Sequence, residues 1–386
     1  MGYVSQTVYW LTEGDSAMRK QYSTVSFKGQ IIYVGIDVHK TQWTVAIQHC
    51  GQMSETFTMD PAPEKLSEHL KRNYPEAEYR SVYEAGFSGF EAHRTLCRLG
   101  VQNIVINAVD VPTSGKEREK KNDKIDCRKL ARELEHGSLE PIYIPTPENL
   151  ILRNLKRRED QLVQNLTRIK NRIKGHLYFS GIKFISWAGG SLKIMEEEAQ
   201  KREDYALLSM FRELRFLREE KLRVIRDEGE CLKKLKRERI QENIQSVPGI
   251  GFRTAIALQS ELWDMKRFQT DDHLNSYVGL APHTFGSGEH VTVKCGNRKK
   301  KQLHYLMVEA AWRAVRHNLE YKARYGALVG RGMNSKKAIV VIARKLMQTI
   351  RAVWLQDRKY VNLLTSSKIK IKTSTCSFVL FCCRYR

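Results

Sequence analysis

No stretch of about eighteen uncharged apolar residues occurs in the 386-residue sequence, so a membrane-spanning helix is not expected. The first twenty residues, MGYVSQTVYWLTEGDSAMRK, contain no apolar core of the signal-peptide kind. Eight cysteines are scattered at positions 50, 97, 127, 231, 295, 376, 382 and 383, without one Cys-x-x-Cys pair. That spacing indicates neither a zinc site nor a disulfide framework. A reducing cytoplasm is the expected location, with no membrane partner.

Negative charge is also scarce. Lys and Arg number 66 against 43 Asp and Glu, a formal net charge of +23. The excess is uneven: residues 30–145 hold 15 basic and 17 acidic groups, whereas residues 241–386 hold 25 and 9. A polyanion partner follows, and nucleic acid is the commonest one for such a chain. The near-neutral segment 30–145 keeps its acids inside a protein that must approach phosphates. Those acids need a reason.

Alternation rich in β-branched residues marks strands at IIYVGIDV (31–38), QWTVAIQHC (42–50), SETFTMD (54–60), YRSVYEA (79–85) and NIVINA (103–108). Helical spacing marks 61–75, 88–100 with Ser88 as N-cap, and the stretch from Asp123 to Gly137. The order β-β-β-α-β-α-β-α predicts an α/β domain with a mixed sheet, made of a meander followed by crossover units. From Glu148 to about Arg239 strand signals vanish. Leucine and isoleucine at threes and fours instead predict two long basic helices, broken at SWAGGS (186–191), as a helical hairpin or coiled coil. A PGIG turn then lies between helix-like flanks in NIQSVPGIGFRTAIALQ. Either it is a plain helix–helix turn, or Gly249 and Gly251 let backbone N–H groups approach a phosphate, as in a helix-hairpin-helix. A short helix (271–279), a loop APHTFGSGEH, the basic run NRKKK and further helices to about Tyr360 follow. The expected organisation is a peripheral extension (1–29), an α/β domain (30–146), a helical middle (147–240), a mainly α C-terminal domain (241–362) and an atypical tail (363–386).

Four acids carry the candidate chemistry. Asp37 ends the first strand, Glu84 ends the fourth, and Asp123 and Asp126 sit at i and i+3 near the start of one helix. If the two strands are parallel neighbours, their acids emerge at one sheet edge. Converging carboxylates repel one another unless a cation binds them, and hard oxygen donors suit Mg²⁺, with Mn²⁺ as substitute. Each acid also has a plainer reading: Asp123 as an N-cap, Asp37 and Glu84 as turn acids beside His39 and Gly86.

GIDVHKTQWTVAI, YEAGFSG and NDKIDCRKLAR resemble the RuvC-like N-terminal domain of the DEDD transposases, the insertion-sequence one-ten group. SVPGIGFRTAIALQSEL, RFQTDDHLNSYVGLAP, GSGEH and LHYLMVEAAW are similar, in order, to that family's C-terminal transposase domain. The resemblance, over about 30–350, implies an RNase H/RuvC-like fold with Asp37, Glu84, Asp123 and Asp126 as the DEDD set. It further implies an RNA-guided recombinase, in which a structured noncoding (bridge) RNA pairs with donor and target DNA. A serine attacks the phosphodiester and forms a covalent phosphoserine link, close to Mg²⁺, in a tetramer. Where the family usually shows Ser-Ser-Gly after Gly-Leu-x-Pro, GLAPHTFGSG places Ser287 at the second serine and Gly286 at the first. By itself, a serine between glycines reads as a flexible turn. As a nucleophile it needs a base or metal and compensation of phosphate charge, which Lys294 and Arg298 can supply. Lys299 and Lys300 extend that basic run. GNRKKKQLHY departs from the family's usual segment at this point.

Two other function classes fit the same acids and charge. A RuvC-like nuclease or Holliday-junction resolvase uses metal-activated water without a covalent serine. A nucleic-acid-binding scaffold uses the acids structurally and shows no metal dependence. The GSG loop and C-terminal domain separate the first reading from the nuclease, and metal stabilisation that depends on Asp37 or Asp126 separates it from the scaffold.

Overall fold

The computed structural model describes residues 26–111, 122–287, 290–295 and 301–361. Most of the 1–29 extension and the tail 363–386 lie outside these residues. The chain forms two compact units, one ending at Ile144 and one beginning at Pro145.

In the first unit, strands β1 (Ile31–Val38), β2 (Trp43–His49) and β3 (Gln52–Met59) are followed by helix α1 (Pro63–Asn73), β4 (Glu78–Glu84), α2 (Glu91–Arg98), β5 (Gln102–Ile106) and α3 (Asp123–Glu135). The sheet order is β3-β2-β1-β4-β5, with the meander antiparallel and β1, β4 and β5 parallel. This mixed α/β sheet has the expected element order and is compatible with an RNase H-like domain. Period-2 alternation assigns the faces. Ile32, Val34 and Ile36 of β1 share a buried cluster with Leu66 and Leu70 of α1 and Leu96 of α2. The odd-numbered face of β1 receives α3, through Gly35. A Cβ on Gly35 would lie 2.0 Å from Cys127 O and 2.6 Å from Ala131 N. Backbone therefore packs on backbone, with Cys127 and Ala131 buried against Ala46 of β2.

Ser88 does not cap α2. The turn Gly86–Gly89 closes with Gly89 N–H donating to Gly86 O, and Gly89 takes φ +63°. That turn consumes Ser88, so the helix starts later, at Glu91 behind Phe90.

The second unit opens with the 33-residue helix α4 (Pro147–Phe179), whose cap Thr146 accepts from Asn149 N–H. It packs against the 30-residue α6 (Tyr205–Lys234), with α5 (Gly189–Lys201) between them in sequence. Leu162, Leu166, Ile169 and Ile173 bury against Phe211, Leu214 and Val224. Leu152 near the start of α4 meets Cys231 and Leu232 near the end of α6, so the two helices run in opposite directions. Gly189 and Gly190, read as part of a break, begin α5, and the interruption lies at 180–188. No helix among the described residues is long and apolar enough to cross a membrane.

This helical pair buries charge. Glu159 and Glu228 are both fully buried. Lys156 Nζ donates to Glu159 Oε2 at 2.7 Å, and Arg253 pairs with its Oε1. Among the described residues, neither carboxylate oxygen of Glu228 has a hydrogen-bond partner. Burial first, and the Glu159 charge second, push the Glu228 pKa up to about 7. The folded state then binds a proton that the unfolded chain has released. Stability from this group is present below the unfolded value and is lost as pH rises through about 7, by up to about 3 kcal/mol. Glu228→Gln is expected to flatten that dependence and to raise the melting temperature above neutral pH. Thermal melts across the range test this, and an unchanged pH profile would refute it.

The rest of the second unit comprises α7 (Glu238–Gln245), α8 (Phe252–Leu262), α9 (Asp271–Val278), the hairpin β6 (Pro282–Ser287) and β7 (His290–Cys295), α10 (Lys301–His317), α11 (Leu319–Gly330) and α12 (Ser335–Leu355). One core joins the helices, including Ile244, Leu258, Phe268, Met307, Leu346 and Ile350. The segment read as a loop is thus partly a β-hairpin, with Thr284 opposite Val293 and Phe285 opposite Thr292. Pro282 and the glycines obscure its alternation in the sequence.

Candidate active site

Parallel register brings the strand-end acids together. Gly35 pairs with Val82 and Ile36 with Tyr83, so Asp37 and Glu84 stand side by side at the ends of β1 and β4. Val82 packs with Leu130 of α3, and Gly35 lies under the same helix. Two residues on, Asp37 and Glu84 therefore share the face that α3 covers. Asp37 is half-buried and Glu84 exposed.

Helix α3 brings its acids to that edge with its first turn. Asn122 is the N-cap, its Oδ1 accepting from Lys124 N–H at 3.1 Å. Asp123 is therefore not the cap and keeps its carboxylate for other partners. Asp123 and Asp126 both sit where the helix dipole favours negative charge. His39 Nε2 lies 3.3 Å from Asp37 Oδ2 and 3.4 Å from Asp123 Oδ2. One ligand atom from each of Asp37, His39 and Asp123 lies within 4.8 Å of the others. Burial raises the Asp37 pKa; the His39 imidazole opposes this, while the charges of Asp123 and Asp126 reinforce it. Such a carboxylate cluster is stabilised by a cation, and two oxygen donors with one imidazole fit a divalent ion. Cys127, one residue beyond Asp126, is not part of that donor set. Burial pushes its thiol up to about 11, and it packs inward.

Sequence reading placed His39 beside Asp37 only as a turn neighbour. Its spacing in Asp-Val-His-Lys gives no sign that the imidazole bridges to Asp123, about eighty-five residues away. Beside the acids lies a groove of about 500 Å³ lined by His39, Lys40, Trp43 and Phe87 among others. Lys40 Nζ stands 5.9 Å from the centre of the Phe87 ring, which is 62% exposed.

The remaining candidates belong to the second unit. Ser287 ends β6 and pairs with His290 across the hairpin, and Lys294 pairs with His283. Arg298, Lys299 and Lys300 lie outside the described residues. Gly249 adopts φ +83° in the turn between α7 and α8, and an added Cβ would lie 2.3 Å from Ala310 O of α10. Its carbonyl accepts from Arg313 Nε at 3.0 Å. Gly249 thus has a packing role, whereas Gly251, the N-cap of α8, has no neighbouring atom within 4 Å of an added Cβ.

Comparison with known proteins identifies the family. Residues 34–180, which contain all four acids, match a DEDD family described as Transposase. Residues 241–326 match the Transposase IS116/IS110/IS902 family. The chain is 29% identical over 314 residues to y4rJ of Sinorhizobium fredii, named as a transposase, covering 73% of this chain and 76% of that one. It is 25% identical over 295 residues to the transposase for insertion sequence element IS1111A of Coxiella burnetii, covering 72% and 78%. A shorter match, 30% over 120 residues, links 30% of this chain to 37% of the pilin gene-inverting protein of Moraxella bovis. With both family segments present in order and an acid cluster suited to a divalent metal, the chain belongs to the IS116/IS110/IS902 family of transposases and is a DNA recombinase of the DEDD type.

Proposed function

We propose that this transposase performs RNA-guided DNA strand cleavage and exchange through a covalent phosphoserine intermediate. Asp37, Glu84, Asp123 and Asp126 would hold Mg²⁺, and Ser287 would be the nucleophile. The observation that carries the metal role is the convergence of Asp37, His39 and Asp123 at the end of β1. Mg²⁺ bound there would offset charge on phosphate oxygens and favour an ionised nucleophile.

The proposed serine chemistry balances without an external energy source. Ser287 Oγ loses its proton and forms an Oγ–P bond. One strand P–O bond breaks, and that strand end leaves as a hydroxyl after taking up a proton. Attack on the phosphoserine by the hydroxyl of another strand reverses these changes and restores Ser287. Phosphoester bonds are exchanged, not consumed, as inversion or insertion of DNA requires. The pilin gene-inverting relatives, by name, rearrange DNA in this sense.

Partners in this reading are donor and target DNA, a structured bridge RNA and further copies of the chain, as a tetramer. Exposed apolar side chains at one end of the helical pair support self-association. Phe179 is 90% and Tyr178 64% exposed. The pair would act as a coiled-coil arm, and the α7–α8 turn as a helix-hairpin-helix contact to phosphate.

A denaturing gel tests the nucleophile. With Mg²⁺, labelled donor and target DNA, and RNA transcribed from the element's flank, wild type should retain label on boiled protein. Ser287→Ala should lose that adduct. Cleavage without an adduct, unchanged in Ser287→Ala, would instead favour metal-activated water, the resolvase reading.

A further inference from the structure

Charge in the last two described helices is one-sided to an extent the family match does not explain. Residues 319–355 contain eight basic residues and one acid, Glu320. The last residues of α11, Arg331 after it and all of α12 lie beyond the matched segment 241–326. Between them runs a groove of about 410 Å³ whose lining includes Arg324, Arg331, Arg344 and Lys345, and no acidic residue. Its apolar floor includes Leu328 and Ile342.

The cations differ in what they do. Arg351, outside the groove, donates to the Phe268 and Gln269 carbonyls and pairs with Asp271, so it ties α12 to the turn before α9. Arg324 pairs with Glu320 on its own helix. Arg344 pairs with Asp272 at 3.6 Å, beyond hydrogen-bond distance, and among the described residues its buried Nε has no hydrogen-bond partner. Arg331 and Lys345 are exposed, and among the described residues their side chains form no hydrogen bond or ion pair. Cations crowded into a concave surface whose own lining holds no acid repel one another, and Arg331 and Lys345, with no counter-charge among the described residues, hold donors ready for a polyanion. Guanidinium groups on both rims suit phosphate oxygens, which accept paired N–H donors.

We propose that the α11–α12 groove binds the phosphodiester backbone of duplex DNA, with Arg331, Arg344 and Lys345 as its principal phosphate contacts. This contact is independent of the acid site and of sequence. It would hold the DNA without reading bases, since the lining offers phosphate donors over an apolar floor. Each phosphate neutralised releases condensed counterions, which makes the contact countable.

The test uses the full chain and a fluorescent mixed-sequence duplex, with anisotropy titrations over a range of NaCl concentrations. Arg331→Gln/Lys345→Gln is compared with Lys71→Gln/Arg72→Gln, a charge-matched pair of exposed sites on α1. The groove variant should bind about 10- to 100-fold more weakly at moderate salt, and its log K against log [salt] slope should become shallower by about two. The α1 variant should keep the wild-type slope. Equal slopes for the two variants would overturn the proposal. So would a loss confined to a single-stranded RNA probe, or a changed oligomeric mass with DNA affinity intact. Melting temperatures within error of wild type exclude misfolding, because both groove positions are exposed. Failure here would leave the proposed acid chemistry untouched, since that is read from cleavage.

Discussion

Asp37→Asn is expected to lower DNA strand cleavage about 10³-fold or more while leaving duplex binding close to wild type. The substitution keeps the side chain's shape and removes one charge from a cluster that includes Asp123 and Asp126. Burial and those neighbouring carboxylates already raise the Asp37 pKa. A carboxyl with a raised folded pKa contributes stability below its unfolded value, and loses it as pH rises through the folded value. At neutral pH and without divalent ions, ionised Asp37 therefore opposes folding, so Asp37→Asn should melt at or above the wild-type temperature. With Mg²⁺ or Mn²⁺ the order reverses, because a bound ion stabilises only a protein that can hold it. Melting curves with and without metal, beside a cleavage assay, provide the check. Loss of metal-free stability together with DNA binding would mean that Asp37 is a folding residue.

The acid set was legible because two simple periodicities carried it. Residues 31–38 and 79–85 alternate cleanly, so Asp37 and Glu84 could be assigned to strand ends. Asp123 and Asp126 stand one helical turn apart. What stayed hidden depends on contacts between distant segments. His39 looked like a turn residue because its link to Asp123 exists only once α3 lies across β1. Glu159 and Glu228 carry no mark in the leucine and isoleucine spacing of the long helices, yet both are fully buried. Local spacing cannot separate a solvated glutamate from one enclosed by Lys156 and Arg253. The 282–295 hairpin was missed for a different reason: Pro282 and the glycines are turn signals, and here they flank strands short enough to be masked by them.

Gly35→Ala is the second change expected to act strongly, and it would act without altering any charged group. The glycine in Gly-Ile-Asp looks like ordinary strand variation, and its φ is not positive. Its necessity lies in the helix above it. An alanine Cβ would sit 2.0 Å from Cys127 O and 2.6 Å from Ala131 N, both backbone atoms that no side-chain rotation can move. Helix α3 must then lift by more than an ångström, at a cost of about 1–3 kcal/mol. The same displacement carries Asp123 and Asp126 away from Asp37, and a shift of that size costs about 10²-fold in a positioned reaction. Gly86 of the Glu-Ala-Gly stretch is the matched control. The nearest atom to its added Cβ is Glu84 O at 4.0 Å, so Gly86→Ala should be nearly silent. Gly35→Ala should thus show lower melting temperature, weaker Mn²⁺ stabilisation and slower cleavage together, all three from one methyl group. Wild-type cleavage in Gly35→Ala would mean that the approach of α3 to β1 does not set the geometry of the acids.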